Sequence, residues 1–208
     1  MRMLMIDDHT VVRNGIGQLL SSRIPLTFDG ASTGQEGLLK LQSASYDFVL
    51  LDISMPGSSG LEVLKQIKCQ FPNLPVLIFS MHPEEHFAVR MLKNGASGYV
   101  TKDCDPQELI TAIQVVVQGK RYLSNSQREL VLDSLSQPNT DGSVHSLLSD
   151  RELQIAMMIA SGKQVGQIAD ELALSIQTIS TYRTRLLTKM NLKTNAELTS
   201  YLIRYGLV

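Results

Sequence analysis

The sequence predicts an α/β chain, with a doubly wound parallel sheet over the first 120 residues and a small all-helical domain after it. Three observations carry that expectation. Five short apolar runs alternate with five stretches of helical periodicity up to about residue 118. The runs, Phe48-Val49-Leu50-Leu51 most clearly, lack polar alternation, as expected of strands buried on both faces of a sheet. After residue 148 the strand pattern stops and four short helical patterns follow.

In chain order, strands are expected near 2–6, 26–31, 46–51, 75–80 and 98–101. Helices are expected near 11–22, 34–44, 59–70, 84–94 and 105–118. Asp105-Pro106 starts the last of these, while Asn94-Gly95 and Gly119 stop the last two. Leu130, Val131, Leu132 and Leu135 then stand at near-helical spacing, which predicts a short connecting helix over 126–135. Ser136 to Ser143 holds no apolar residue and reads as a flexible linker. Ser149-Asp150-Arg151-Glu152 is a capping box that opens the apolar run Leu153 to Ala160, and Ser161-Gly162 ends it. A second helix spans Gln164 to Leu172, with Gly166 costing it about 1 kcal/mol relative to Ala. Ala173-Leu174 makes a tight turn, Ser175 caps a third helix running to Met190, and Thr194 to Glu197 caps a fourth reaching Arg204. Two short helices joined by a brief turn, the second one basic, form a helix-turn-helix. The chain thus divides into 1–120, a connector over 121–147, and 148–208.

At 208 residues the chain has room for one large or two small domains, and no unbroken apolar stretch is long enough to span a membrane. Met1 to Ile6 meets two acids too soon for a signal peptide and reads as a strand. Cys69 and Cys104 lie far apart, which fits two reduced thiols in a cytoplasmic protein. The net charge of −1 hides an asymmetry: 1–123 carries −1, 124–147 carries −2 and 148–208 carries +2. Ser175 to Lys193 holds Arg183, Arg185, Lys189 and Lys193 and no acid, a local basic stripe of the kind that meets nucleic acid.

The chemistry collects at strand ends. Met3 to Ile6 runs into Asp7 and Asp8, Phe48 to Leu51 into Asp52, Val76 to Phe79 into Ser80, and Gly98 to Thr101 into Lys102. Open α/β sheets bind ligands at the carboxyl ends of their strands. Three carboxylates side by side repel one another unless a cation joins them. The set calls for Mg²⁺ and a phosphoryl group. His9, His82 and His86 are too scattered for a metal site and read as structural or solvated.

With Asp7-Asp8, the run Asp52 to Gly60, Ser80 and Gly98 to Lys102 in place, residues 1–120 resemble a two-component receiver domain. Residues 148–208 resemble a LuxR-type helix-turn-helix, keyed by Ser175 to Arg183. Together they resemble a NarL/FixJ-family response regulator, and Thr181 to Arg185 leans toward its GacA/UvrY branch. The resemblance implies a flavodoxin-like strand order 2-1-3-4-5. It makes Asp52 the phosphoacceptor, fed by a sensor histidine kinase. It places Mg²⁺ on Asp8, Asp52 and the backbone carbonyl of Ser54, with Asp7 acting through water. Lys102 then meets a phosphoryl oxygen, Ser80 bonds another, and Tyr99 swings inward as the switch.

For the second domain the resemblance implies that Ser175 to Lys189 enters the major groove of promoter DNA. The interface set is Ser175, Gln177, Thr178, Ser180, Thr181, Tyr182, Arg183, Thr184, Arg185 and Lys189. Ser180, Thr181 and Thr184 face bases, while Arg183, Arg185 and Lys189 lie near phosphates or base edges. Thr178 and Ile179 face the preceding helix, and Tyr182 either reaches a phosphate or packs. Leu198, Tyr201 and Leu202 form an apolar stripe whose exposed part is read as a dimer contact. The implied protein is a phosphorylation-controlled transcription factor and homodimer that works with RNA polymerase, and is no enzyme beyond its own phosphoryl chemistry. Haloacid-dehalogenase-type phosphatases also use an Asp nucleophile with Mg²⁺. They resemble Asp-x-Asp, however, and here Ser54 stands two residues after Asp52. A phosphate-independent interaction module is disfavoured by the complete acid, hydroxyl and lysine set.

Overall fold

The structure, a computed structural model, describes residues 1–55, 60–82, 84–136, 144–205 and 207. It divides into two compact units, Met1–Ser136 and Gln137–Val208. The expected linker residues 137–143 and the loop residues 56–59 lie outside the described residues.

The first unit holds five strands, β1 (Arg2–Ile6), β2 (Thr27–Ala31), β3 (Phe48–Leu51), β4 (Val76–Ser80) and β5 (Gly98–Thr101), all parallel in the order 2-1-3-4-5. The expected fold class and strand order hold. Helices α1 (Thr10–Arg23), α2 (Gly34–Ser43), α3 (Gly60–Gln70), α4 (Glu84–Lys93) and α5 (Pro106–Val117) alternate with the strands. Met3, Met5, Phe48, Leu50, Leu77 and Phe79 form one core face with Leu20 of α1 and Leu109, Ile113 and Val116 of α5. Leu4, Ile6, Val49, Leu51, Val76 and Ile78, the alternate positions, are just as buried on the other face. This double burial is why the strands read as unbroken apolar runs. The helix ends match their sequence marks: Asp105 accepts from the Gln107 N–H with Pro106 in the first turn, and Gly95 and Gly119 take positive φ.

Register sets the site. Ile6 pairs with Leu51, so Asp7 and Asp52 leave neighbouring strands side by side. The ladder continues one residue further, through Asp52 N–H to Ile6 O at 2.9 Å and Lys102 N–H to Ser80 O at 2.8 Å.

The connecting helix α6 (Asn125–Ser136) belongs to the first unit and packs on α4. Its most buried described side chain is a polar one, Gln127, while Leu130 and Val131 are half-buried. Leu132 is 62 % exposed, whereas Gln127 is 1 % exposed. The reason lies in β5, an edge strand whose outer carbonyls need donors. Tyr122 N–H serves Ser97 O at 2.8 Å, and Gln127 Nε2 serves Tyr99 O at 2.9 Å. Ser136, assigned from the sequence to the linker, is the last residue of α6.

The second unit holds a 3₁₀ turn (Val144–Leu147) and helices α7 (Asp150–Ala160), α8 (Val165–Glu171), α9 (Ile176–Lys189) and α10 (Asn195–Arg204). Both expected capping boxes are present, at Ser149/Glu152 and Thr194/Glu197, and Ser175 accepts from the Thr178 N–H. Ala173 makes the helix-turn-helix turn at φ 49, a left-handed conformation that costs a non-glycine residue roughly 1–2 kcal/mol. Leu153, Ile155, Ile168, Ile179, Leu186, Leu198 and Leu202 form the core. Both cysteines are free.

Gly60 opens α3 beneath the acid loop. A Cβ there would lie 2.5 Å from Ile53 Cα and 2.6 Å from Asp52 O, both backbone atoms that cannot move without moving the site. Gly60→Ala is expected to destabilise the first unit by roughly 1–3 kcal/mol, read from urea denaturation. An unchanged denaturation midpoint would show that the loop yields freely.

Candidate functional site

Asp52 follows β3 and is 2 % exposed, while Asp7 follows β1 and is fully buried. Lys102 follows β5, beyond β4, and its side chain reaches back across the strand ends. Its Nζ lies 2.7 Å from Asp7 Oδ2 and 2.7 Å from Asp52 Oδ2. One ammonium thus bridges two buried carboxylates and offsets one of their two charges. Burial pushes the Asp52 carboxyl above its ordinary value, opposed by the charge and hydrogen bond of Lys102 and by the Ser54 N–H, 3.1 Å from Oδ1. Burial disfavours charge on Lys102 as well, but Asp52 and Asp7 outweigh it and hold the ammonium above its ordinary value.

Asp7 is held from several sides. The His9 backbone N–H donates to its Oδ1 at 2.7 Å, and the Arg13 guanidinium donates to its backbone oxygen. Asp8 differs. Its Oδ1 is buried and makes no hydrogen bond, although the His9 ring nitrogen lies 3.0 Å away in a direction that forms none. Carboxylate oxygens of Asp7, Asp8 and Asp52 and a His9 ring nitrogen lie within 4.8 Å of one another. A buried oxygen without a hydrogen bond beside two carboxylates is a set that a hard cation fits. His9, read from the sequence with His82 and His86 as too scattered for a metal site, stands beside the acid cluster.

Ser80 is fully buried, and its Oγ accepts from the His82 N–H at 3.2 Å. Tyr99 is also fully buried, with its ring already inward and its hydroxyl donating to His82 O at 2.8 Å. His82, read from the sequence as structural or solvated, is tied into the site. Its Nε2 lies 2.8 Å from Ser54 Oγ, and its ring stacks on Phe87 of α4 at 4.7 Å. Burial, helped by the positive charge of Lys102, lowers its pKa below the ordinary imidazole value. No local signal announced this, because Ser54 is 28 residues away. The side chain of His86 lies outside the described residues.

In the second unit, Ser175, Gln177, Thr178, Thr181, Tyr182 and Arg185 line one concave surface along α9. Ser180, Thr181 and Thr184 are exposed and donate their hydroxyls to carbonyls one turn back, which leaves oxygen lone pairs facing outward. Thr178 Oγ1 bonds Ser175 Oγ at 2.8 Å, and Ile179 is buried in the core. The basic residues divide. Arg183 Nε donates to Asn195 Oδ1 at 2.7 Å, tying α9 to the head of α10. Lys189 Nζ pairs with the buried Glu152 carboxylate at 2.6 Å. Arg185 is exposed and shares the concave surface. Of the stripe on α10, Leu198 and Leu202 are core, while Tyr201 meets His145 and Tyr205. No helix among the described residues is long and apolar enough to cross a membrane.

Residues 3–114 match the response regulator receiver domain, and residues 146–202 match the bacterial regulatory proteins of the luxR family. The chain belongs to the response regulators and is a regulator of transcription in which a receiver precedes a luxR-family domain. Among individual relatives it is similar to the response regulator GacA of Pseudomonas viridiflava, 38 % identical over 209 residues, which are 100 % of this chain and 97 % of that one. It is also similar to the response regulator UvrY of Escherichia coli (strain K12), 35 % identical over 205 residues, 98 % of this chain and 94 % of that one. Among solved structures, RcsB from Salmonella enterica serovar Typhimurium, bound to promoter rprA in the presence of the phosphomimetic BeF3-, aligns with TM-score 0.65 and 25 % identity over 97 % of this chain and 98 % of that one. The family expected from the motifs is the family found.

Removing Lys102 leaves two buried carboxylates facing each other. Lys102→Ala is expected to cost the first unit roughly 3–5 kcal/mol without added metal. Millimolar Mg²⁺ should restore part of that loss and raise the melting temperature more in the variant than in the wild type. Equal Mg²⁺ responses in the two proteins would show that the ion does not bind these carboxylates.

Proposed function

We propose that this chain takes a phosphoryl group on Asp52 from the phosphohistidine of a sensor histidine kinase and then, as a homodimer, binds promoter DNA through α9. The observation that carries this reading is the buried Asp7–Lys102–Asp52 bridge at the carboxyl ends of β1, β3 and β5. A carboxylate oxygen of Asp52 attacks phosphorus, a P–O bond forms, and the P–N bond breaks with its electron pair going to the imidazole nitrogen. The reaction therefore needs Asp52 ionised, although burial favours its neutral form. Lys102 keeps it ionised and is placed to offset charge building on the phosphoryl oxygens. Ser80 then donates its hydroxyl to one such oxygen, and Tyr99, held inward by His82 O, reports the change to α4.

Mg²⁺ is the cation this donor set suits, because Asp8 offers an oxygen without a hydrogen bond beside Asp52 and the Ser54 carbonyl follows two residues later. When bound, it would screen the charge of the acyl phosphate and of the attacking carboxylate. Asp7, buried and bonded to Lys102, acts mainly by positioning that lysine. We take 1–120 as the receiver, 121–147 as the connector and 148–208 as the DNA-binding domain, in a cytoplasmic protein. Catalysis is limited to the chain's own phosphorylation and dephosphorylation.

For DNA, the arrangement supports base reading by Ser180, Thr181 and Thr184, with Ser175, Gln177 and Tyr182 alongside and Arg185 at phosphate. Single hydroxyls discriminate bases less sharply than a bidentate arginine does, so shape readout and a second half-site add specificity. Dimerisation through the exposed side of α10, where Ile203 is 59 % exposed, supplies that half-site. Contact with RNA polymerase at the promoter completes the regulatory role.

Acetyl phosphate with Mg²⁺ is expected to add one phosphoryl mass to the wild type and none to Asp52→Ala. Equal labelling of the two by intact-mass spectrometry refutes the acceptor assignment. On DNA, Arg185→Ala should weaken binding, lower the salt slope by about one and leave the melting temperature unchanged. Thr181→Ala should weaken binding mainly to the cognate site. Arg183→Ala should lower the melting temperature, because it breaks the tie to Asn195. If Arg185→Ala and Thr181→Ala both bind like the wild type in a gel shift at fixed salt, α9 is not the reading helix.

A further inference from the structure

A chain of hydrogen bonds leaves the Asp52 loop and ends in the connecting helix. Ser54 donates its N–H to Asp52 Oδ1 at 3.1 Å, and its Oγ meets His82 Nε2 at 2.8 Å. The His82 carbonyl accepts the Tyr99 hydroxyl at 2.8 Å. The Tyr99 carbonyl accepts Gln127 Nε2 at 2.9 Å, and Gln127 Oε1 accepts the Ser124 N–H at 3.3 Å. Tyr99 is thus gripped at both ends, by the β4–α4 loop through its hydroxyl and by α6 through its backbone. The same two regions meet a second time through packing, since the His82 ring stacks on Phe87 of α4 and α6 lies against α4.

Gln127 is the unusual member. A primary amide 1 % exposed at a helix surface is tolerated only because both of its ends are satisfied. A simple edge cover could use any donor along β5. This one sits on the residue whose side chain also closes over the site, and on the helix that leads into the linker.

We propose that Gln127 is a positioning residue for the phosphoryl switch, so that docking of α6 on the β5 edge and occupation of Asp52 stabilise each other. The inference rests on Asp52 being the phosphoacceptor. Its sign comes from geometry: the Gln127 clasp and the inward Tyr99 occur together, and Ser80, accepting from the His82 N–H, keeps its hydrogen for a phosphoryl oxygen. Linkage then requires reciprocity, in which whatever fills the Asp52 site tightens α6, and loosening α6 weakens the site to the same degree. The connector is thereby a working part of the receiver and carries its state toward the second unit.

The test uses the full chain with Mg²⁺ and beryllium fluoride, a stand-in for the phosphoryl group. Hydrogen–deuterium exchange is followed in peptides covering 48–55 and 122–132. On adding the probe, the wild type should slow exchange in both peptides, by roughly fivefold in 122–132, the scale of an ordinary allosteric coupling. Gln127→Met keeps length and helix propensity while removing the amide's bonds to Tyr99 O and the Ser124 N–H, and it should bind the probe roughly fivefold more weakly. Glu129→Ala, an exposed change on the same helix, should bind it like the wild type. Slowing confined to 48–55 in the wild type overturns this inference alone, as does faster exchange in 122–132. A Gln127→Met protein that loses thermal stability but keeps wild-type probe affinity reduces Gln127 to an edge cover and also overturns it. If the wild type shows no slowing in 48–55, the phosphoacceptor reading falls and takes the coupling with it. The wild-type arm needs no variant, so a variant that fails to fold leaves the inference open to refutation.

Discussion

The arrangement depends on one ammonium group shared between two buried carboxylates. Asp7 and Asp52 leave adjacent strands with their side chains buried, and burial pushes the Asp52 carboxyl above its ordinary value. Lys102 supplies a positive charge from β5, two strands from Asp52 and three from Asp7. Its reach fixes the relation between β1, β3 and β5, and that relation aligns Ser80 and Tyr99 with the acid loop. Asp8 contributes a buried oxygen with no hydrogen bond beside that bridge.

A second constraint comes from the open edge of the sheet. Among the described residues β5 pairs only with β4, which leaves the carbonyls of Ser97 and Tyr99 to other donors. The chain covers them with its own continuation, first with the Tyr122 backbone and then with the Gln127 side chain. Gly98 permits the approach, since a Cβ there would lie 3.0 Å from Tyr122. Covering the edge removes a template for pairing with another chain. It also draws the connecting helix into the first unit, next to the groups that surround Asp52.

In the helix-turn-helix unit the positive charges serve two ends. Glu152 caps α7 and accepts Lys189, and Asn195 at the head of α10 holds Arg183, so both cations help fix α9 within the bundle. The basic stripe seen in the sequence is therefore only partly a surface for phosphate. Counting lysines and arginines could not divide them, because the partners lie 37 and 12 residues away. Arg185 and the row of hydroxyls are what the outer face of α9 offers.

Most elements were legible from local pattern. Strand runs buried on both faces carry no polar alternation, and the helices opened by Asp105, Ser149, Ser175 and Thr194 have their caps written in adjacent residues. The acids and the lysine were legible because each closes an apolar run, and such residues gather wherever parallel strands end together. By itself, then, the sequence determined the two domain types, the strand-end cluster and the family, all of which rest on spacing within a few residues. Only the tertiary structure decided that Lys102 bridges Asp7 as well as Asp52, that His82 holds Ser54, and that the Gln127 side chain ties the connecting helix to β5. Each of those outcomes depends on which group meets an unsatisfied partner across a fold. That pairing is set by register and packing, which no local run of residues encodes.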